Sequence, residues 1–319
     1  MSYPRRRTIY CAGEVVPLSE TNVDAAVMIV APGKGGDRLP IGTGFVVAVG
    51  SPIEGKGFGY VVTAAHVVRF VASSFVRLSL HSGQMQDLPV PKWTFHDDDE
   101  TDVAVVPISL NREVHRHLPT LVEPDVAEDR PRPRLGEVVY FVGLLANVKA
   151  MHSENVPMVR SGTLGRLYQE GVQIRWPDDT IHSMVAHLID CRSHQGFSGS
   201  PCYVQLEPRG RTDVHDWDTY LLGLITGHLD ELGVDLAVQN SGVALVTPVE
   251  DIWHVLMQED LVKHREQQIE QHEHEHPRAT PAITDATLGL IGRSTTDSMD
   301  ELLEAPKDEA NEVRGGHQS

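Results

Sequence analysis

The chain has 319 residues, of which 27 are Lys or Arg and 45 are Asp or Glu, so its formal net charge is −18. This excess of negative charge disfavours binding to the phosphates of a nucleic acid, which requires a basic surface. No run of the sequence approaches the roughly 20 apolar residues of a membrane-spanning helix, and the 3 cysteines indicate a reducing compartment more than a disulfide framework. These features predict a cytoplasmic protein that binds neither nucleic acid nor membrane.

The first half of the chain, after a polar leader at residues 1–22, predicts a series of short strands. Runs of Val, Ile and Leu are separated by turn residues without a long helical period, which favours antiparallel sheets. The runs are AAVMIVAP, IGTGFVVAVG, GYVVTAAHVV, SFVRLSL, LPVPKW and TDVAVVPISL. We expect residues 23–110 to form an N-terminal β-barrel and the charged, Pro-rich residues 111–135 to link it to the next one.

The second half predicts a matching set of strands over residues 136–248. Its runs are EVVYFVGLL, PMVRSGTLGRL, TIHSMVAHLI, GSPCYVQL, TYLLGLITG and SGVALVTP. Two sets of about six strands predict an all-β fold of two antiparallel six-stranded β-barrels. Helical spacing then predicts a C-terminal helix over 249–264. Residues 265–319 have little to bury, so we expect a disordered acidic tail, a candidate contact site for a regulatory partner.

Ser198 lies between two glycines in the stretch CRSHQGFSGSPCY. A serine hydroxyl is a weak nucleophile that needs a base, a group that orients the base, and N–H donors for the developing oxyanion. His66, at the end of the strand GYVVTAAHVV, is placed to project an imidazole into a cleft. Asp102, at the entry of an apolar strand, is placed to orient a histidine, with the aspartates at 97–99 as nearby alternatives. Gly196 leaves its backbone N–H unobstructed for an oxyanion.

The stretches TGFVV, VVTAAHVV, TDVAVV, GFSGSP and LLGLITG together resemble the trypsin-like (chymotrypsin-fold) serine peptidases of bacterial type. The resemblance covers about residues 24–262, and the order His, Asp, Ser matches that family. It implies that Ser198 is the nucleophile, that His66 is the general base and later the general acid, and that Asp102 orients His66. It also implies an oxyanion hole formed by the amides of Gly196 and Ser198, and no metal or organic cofactor.

The resemblance also implies which residues surround the substrate. The predicted substrate-binding residues are Arg192, His194, Gln195, Thr226, Gly227 and His228. Thr226 falls where the family often has a hydroxyl bonded to the triad acid. Alignment on Ser198 puts Arg192 near the base of the primary pocket, where a cation would favour an acidic residue before the cut; alternatively the Arg192 side chain points to solvent.

Two positions next to Ser198 depart from the pattern of digestive family members. Phe197 stands where those members carry an aspartate that pairs with a newly cut N-terminus, so we do not expect activation by that route. Ser200 replaces the common second glycine and should be tolerated. A G-x-S-x-G elbow of the α/β-hydrolases is excluded, because its last glycine is Ser200 here and a strand follows instead of a helix.

Two further groups of side chains, cysteines and histidines, could in principle react or bind a metal ion. Cys191 and Cys202 flank Ser198, and we expect buried free thiols in preference to a disulfide. The stretch HEHEH (His272, His274 and His276) has ligand spacing on a helix, but a solvated helix end explains it as well, so no metal site is predicted.

The sequence thus predicts a serine endopeptidase that acts on a protein or peptide substrate. The alternative is a catalytically silent peptidase-like module that binds peptides or partner proteins without cutting them.

Overall fold

The computed structural model describes residues 18–53, 57–122, 132–145, 155–175, 178–194, 196–206, 218–232 and 238–275. Residues 1–269 form one compact unit and residues 270–319 form a second, of which only the end of a helix is described. The strands of the first unit form two separate sheets, which confirms the predicted all-β fold class. Gln195, His276 and the rest of the acidic tail lie outside the described residues.

The first sheet contains eight strands, two more than predicted. They are β1 (Ala26–Pro32), β2 (Arg38–Gly50), β3 (Gly57–Thr63), β4 (Ser74–Ser79), β5 (Met85–Val90), β6 (Thr94–Phe95), β7 (Ala104–Ile108) and β8 (Thr120–Leu121). Their order is β5-β4-β1-β2-β3-β7-β6, which is an open path and not a closed barrel. β8, which lies inside the predicted linker, pairs in parallel with β2. The two additional strands, β6 and β8, have two residues each, too few for an alternating pattern to appear in the sequence.

The second sheet is a closed barrel of six antiparallel strands, as predicted. The strands are β9 (Val138–Gly143), β10 (Met158–Arg175), β11 (Ile181–Asp190), β12 (Pro201–Leu206), β13 (Asp218–Leu232) and β14 (Val238–Pro248), in the order β10-β11-β14-β13-β12-β9. The β10–β11 pairing shifts register three times, which bends this long hairpin.

The four described helices are α1 (Glu20–Asp24), α2 (Ala65–Arg69), α3 (Val249–Leu256) and α4 (Glu259–Glu275). The predicted C-terminal helix after Pro248 is confirmed, but it is not continuous over 249–264, because a break at Met257 and Gln258 separates α3 from α4. The start of the predicted tail at 265 also falls within α4, whose buried side chains are Leu261 and Arg265. None of these helices is long and apolar enough to cross a membrane.

A continuous apolar core joins the two sheets within the first unit. Its largest cluster combines strand residues of the first sheet with residues of the second, such as Ile174 and Leu224, and with Ile252 and Leu256 of α3. Each large aliphatic side chain that is fully buried contributes about 1.5–3 kcal/mol relative to its exposed state. The core therefore fixes the two sheets relative to each other.

Candidate active site

His66 lies in the first turn of α2, and not at a strand end as predicted. The β3–β7 pairing, which places Thr63 opposite Ala104, brings the segment before β7 next to α2. Asp102 belongs to that segment. Its Oδ2 lies 2.7 Å from Nδ1 of His66, and its Oδ1 accepts the His66 backbone N–H at 2.9 Å. One carboxylate therefore holds both the ring and the main chain of His66.

The Asp102 side chain is fully buried, and the hydroxyl of Thr226 donates a further hydrogen bond to its Oδ2. Burial by itself raises the pKa of this carboxyl, but the neighbouring His66 and the hydrogen bonds from His66 and Thr226 hold the pKa below its usual value. Asp102 is therefore suited to remain ionised while buried. The other candidate aspartates make contacts elsewhere: Asp97 with His254 and Asp99 with Arg69.

Ser198 lies in a loop of residues 191–194 and 196–200, here called the Ser198 loop, which is tied to both sheets. The carbonyl oxygen of Ser198 accepts the Thr43 N–H at 3.0 Å, and the Gly199 N–H donates to the Ile225 carbonyl at 2.7 Å. Gly199 has φ +84°, and a Cβ added there would lie 2.0 Å from the Thr43 carbonyl oxygen. Only glycine allows this approach of the loop to the first sheet.

Gly196 adopts a left-handed backbone conformation. The Phe197 N–H donates to the His194 carbonyl at 3.0 Å, closing a four-residue turn, and Gly196 at its third position has φ +98°. A positive φ at that position strongly favours glycine. The backbone of the Ser198 loop therefore requires a glycine two residues before Ser198.

A cavity of about 870 Å³ brings most of the predicted residues together. It is lined by residues from both halves of the chain: Ile41, His66, Gln173, Ile174, Arg175, Ile181, Ser193, His194, Gly196, Ser198, Ile225, Thr226, Gly227, His228, Leu229 and Asp230. Arg192 is exposed and lies outside the described lining of the cavity, whereas its neighbour Ser193 is buried and lines it. The structure thus agrees with the alternative that Arg192 points to solvent.

The end of β13 presents one edge to this cavity. β12 pairs with β13 only as far as Leu224, and β14 pairs with the opposite side of β13 through Gly227 and His228. A backbone edge without a neighbouring strand can take an extended peptide by adding it to the sheet. Both backbone groups of Ile225 are bonded to the Ser198 loop. Beyond Ile225, no strand of the described residues pairs with this edge, which is therefore suited to an extended peptide.

The structure also adds lining residues that the sequence analysis missed. Ile174 of β10 lies directly over Gly227, where an added Cβ would come within 2.5 Å of the Ile174 Cδ1. His228 has Ser193 Oγ at 3.1 Å from its Nδ1 and Asp230 Oδ1 at 3.2 Å from its Nε2. The long β10–β11 hairpin brings Ile174 to the cavity, and no local sequence motif predicts that placement.

The two cysteines near Ser198, and His272 and His274 of α4, lie outside the lining of this cavity. Cys191 and Cys202 are both buried, free thiols. Burial raises the pKa of the Cys202 thiol, which disfavours the reactive thiolate. His272 and His274 lie in α4, and no group of three or more His, Cys, Asp or Glu among the described residues is arranged to hold a metal ion.

Comparison with known proteins places the chain in a family. No curated protein sequence matches it. Among solved structures, the MamO protease domain of Magnetospirillum magneticum is 18% identical, with 76% of this chain and 100% of that chain covered and a TM-score of 0.45. The Rv3671c protease of M. tuberculosis is 18% identical (78% and 92% covered, TM-score 0.41), and the Drosophila Grass clip serine protease is 13% identical (80% and 74% covered, TM-score 0.48). The model of the trypsin-like peptidase domain matches residues 42–206, just over half of the sequence, so the chain belongs to the trypsin-like peptidase family.

Proposed function

We propose that this chain is a serine endopeptidase in which Ser198 is the nucleophile, His66 the general base and Asp102 the residue that orients His66. One observation carries the proposal: a fully buried carboxylate holds Nδ1 of His66 at 2.7 Å, and His66 and Ser198 line one cavity. An Nδ1–H donated to Asp102 leaves Nε2 of His66 unprotonated, which is the form that accepts a proton.

The proposed reaction proceeds through an acyl-enzyme. Ser198 Oγ attacks the peptide carbonyl carbon while Nε2 of His66 takes the hydroxyl proton, and the carbonyl oxygen becomes an oxyanion. The C–N bond then breaks, and His66 gives the proton to the departing amine. Water attacks the ester with His66 again as base, which releases the carboxylate product and restores Ser198.

The backbone amides of Gly196 and Ser198 are proposed to stabilise the oxyanion. Gly196 and Ser198 both line the cavity, which supports this role. Preorganised N–H donors of this kind typically supply about 3–4 kcal/mol of transition-state stabilisation each.

Phe197 suggests how the Ser198 loop is held without an ion pair to a cut N-terminus. The Phe197 side chain is fully buried, and a Cβ on Gly143 would lie 2.6 Å from its Cδ1. Apolar packing of Phe197 on β9 thus replaces a charged contact. We therefore propose that the loop reaches its working conformation without N-terminal cleavage.

The test is covalent labelling of the folded, full chain with a fluorophosphonate probe, followed by mapping of the modified peptide by mass spectrometry. We expect one label on Ser198, its loss in Ser198→Ala, and a strongly slowed reaction in His66→Ala. Ser183→Ala, at an exposed serine of β11, is the matched control and should label like the wild type. The absence of any label on folded protein would contradict the proposal and favour a silent peptide-binding module.

A further inference from the structure

Asp102 lies in the turn between β6 and β7, and the β6 side of this turn is held by only two strand pairs. The β6–β7 hairpin is closed by two cross-strand pairs and by a hydrogen bond from the His96 N–H to the Val103 carbonyl at 3.3 Å. β7 is also paired with β3 over five residues, which fixes the end of the turn nearest Asp102, whereas β6 pairs with β7 alone. The position of the other end of the turn therefore depends on the contacts that residues 95–101 make with other elements, and this end also influences where the Asp102 carboxylate lies.

The first outside contact comes from α2, the helix that carries His66. Arg69 Nη1 donates to Asp99 Oδ1 at 3.1 Å, and the Arg69 guanidinium lies 4.9 Å from the centre of the Phe95 ring. One side of the turn is thus tied to the helix whose histidine Asp102 contacts.

The second outside contact comes from the junction of α3 and α4. Gln258 Nε2 donates to the Phe95 carbonyl at 2.9 Å and to Asp97 Oδ1 at 3.0 Å. His254 Nε2 lies 3.2 Å from the other oxygen of Asp97, and its ring lies against that of His96 with centroids 4.5 Å apart. The Asp97 carboxylate therefore contacts the C-terminal helices through both oxygens.

We propose that Gln258, supported by His254, is a positioning residue for the Asp102 carboxylate, an inference that rests on the proposed function. Gln258 touches no reacting atom. It fixes the main chain at Phe95, at the start of the turn, and so maintains the contact between Asp102 and His66.

The exposure of the His254–Asp97 contact indicates that these contacts affect the geometry of the site more than the stability of the fold. The side chains of His254 and Asp97 are 52% and 73% exposed, and even a charged pair exposed to this extent contributes little to the free energy of unfolding. Catalysis is far more sensitive, since a displacement of about 1 Å can lower a rate about a hundredfold.

The experiment compares Gln258→Ala with Gln267→Ala, at an exposed glutamine of α4 for which no side-chain contact is described. For Gln258→Ala we expect fluorophosphonate labelling and kcat to fall about tenfold, with KM unchanged and Tm within about 2 °C of the wild type. The low-field proton resonance of the His66 Nδ1–H should shift or broaden, because its partner Asp102 has moved. Gln267→Ala should match the wild type in every measurement.

Gln258→Glu separates the hydrogen bonds from packing. It retains the length of the side chain but removes its N–H donors and places a carboxylate against Asp97. We expect it to be at least as impaired as Gln258→Ala. A wild-type rate in Gln258→Glu would overturn the inference, because the donors would then be dispensable.

The other outcomes distinguish the inference from the proposed function. A wild-type labelling rate and an unchanged resonance in Gln258→Ala would overturn the inference and leave the function intact. If the wild type itself does not label, the function fails, and the His66 resonance alone decides whether Gln258 positions Asp102. A fall in Tm of more than about 5 °C in both Gln258 variants would identify a stabilising residue instead and also overturn the inference.

Discussion

The Thr43 hydroxyl in β2 donates a hydrogen bond to the Gly196 carbonyl oxygen at 2.7 Å, across a sequence separation of 153 residues. The same hydroxyl accepts the Leu144 N–H at 2.9 Å, and the Thr43 carbonyl accepts the Thr63 hydroxyl at 2.7 Å. One buried threonine of the first sheet therefore connects the Ser198 loop, the end of β9 and the end of β3.

Thr43→Val tests this connection, because valine has nearly the same shape but no hydroxyl. The substitution leaves the Gly196 carbonyl and the Leu144 N–H buried without this partner, at a cost of about 1–3 kcal/mol for each group. We expect the free energy of unfolding, measured with urea, to fall by about 2–4 kcal/mol, and labelling of Ser198 to slow. Thr163→Val, at an exposed threonine of β10, should change neither.

Gly199→Ala tests the close approach of the Ser198 loop to the first sheet. An alanine Cβ would lie 2.0 Å from the Thr43 carbonyl oxygen and 2.4 Å from the Thr63 hydroxyl oxygen, so the loop must move. We expect a loss of about 3 kcal/mol or more in the free energy of unfolding, together with a loss of labelling.

Gly83→Ala is the matched control for that substitution. Gly83 has φ +82°, almost the φ of Gly199, but nothing lies within 4 Å of an added Cβ. It should lose only the backbone cost of about 1–2 kcal/mol and retain labelling. Equal losses in the two variants would show that φ alone, and not the approach to Thr43, makes glycine necessary at 199.

Local sequence patterns were sufficient for part of this architecture. The long apolar runs, the helical spacing after Pro248, and the separate motifs around His66, Asp102 and Ser198 each appear within a short window. Thr43 could not be found in this way, since its partners lie far away in the sequence and its own surroundings are those of an ordinary strand threonine.

Two errors of prediction have simple physical causes. The residues after 265 are so rich in Glu, Gln and His that they suggest disorder, yet Arg265 is buried and donates to the Tyr60 hydroxyl at 2.9 Å and to the Leu256 carbonyl at 2.8 Å. These contacts anchor α4 where composition gives no sign of it. The sequence predicts a strand end at His66 because the apolar run continues through the short helix α2 without a change in composition.

Thr226→Val tests the hydroxyl that reaches Asp102 from β13. The Thr226 hydrogen bond is one of the contacts that lower the pKa of Asp102, so its loss should raise that pKa. If catalysis needs the ionised carboxylate, the acidic limb of the pH–rate profile should move to higher pH. Because Thr226 also holds the oxygen that contacts His66, its loss should loosen the orientation of His66, and kcat at pH 7 should fall by about threefold to tenfold. Thr226→Ser, which retains the hydroxyl, should restore most of both. A wild-type acidic limb in Thr226→Val would contradict this role.

Asp251, in the first turn of α3, should make the free energy of unfolding depend on pH. The sign is opposite to that expected for Asp102, because the pKa of Asp251 is raised and that of Asp102 is lowered. Burial, reinforced by the neighbouring charge of Glu250, raises the pKa of Asp251 to about 6, from 3.8 for an ordinary aspartate. Between these two values the folded chain binds more protons at Asp251 than the unfolded chain does. The contribution of Asp251 to the free energy of unfolding therefore falls as the pH rises from about 4 to 6.

Asp251→Asn should remove this penalty, because asparagine has no charge to bury. The side chain is partly exposed to solvent, which reduces the effect, so we expect the variant to gain on the order of 1 kcal/mol over the wild type above pH 6. The difference should shrink towards pH 4, where Asp251 is protonated in the folded wild type. Urea unfolding of both proteins from pH 4 to 8 measures it, with Asp37→Asn, at an exposed turn residue, as the control that should show no such trend. A difference between Asp251→Asn and wild type that stays constant from pH 4 to 8 would mean that Asp251 titrates alike in the folded and unfolded chains.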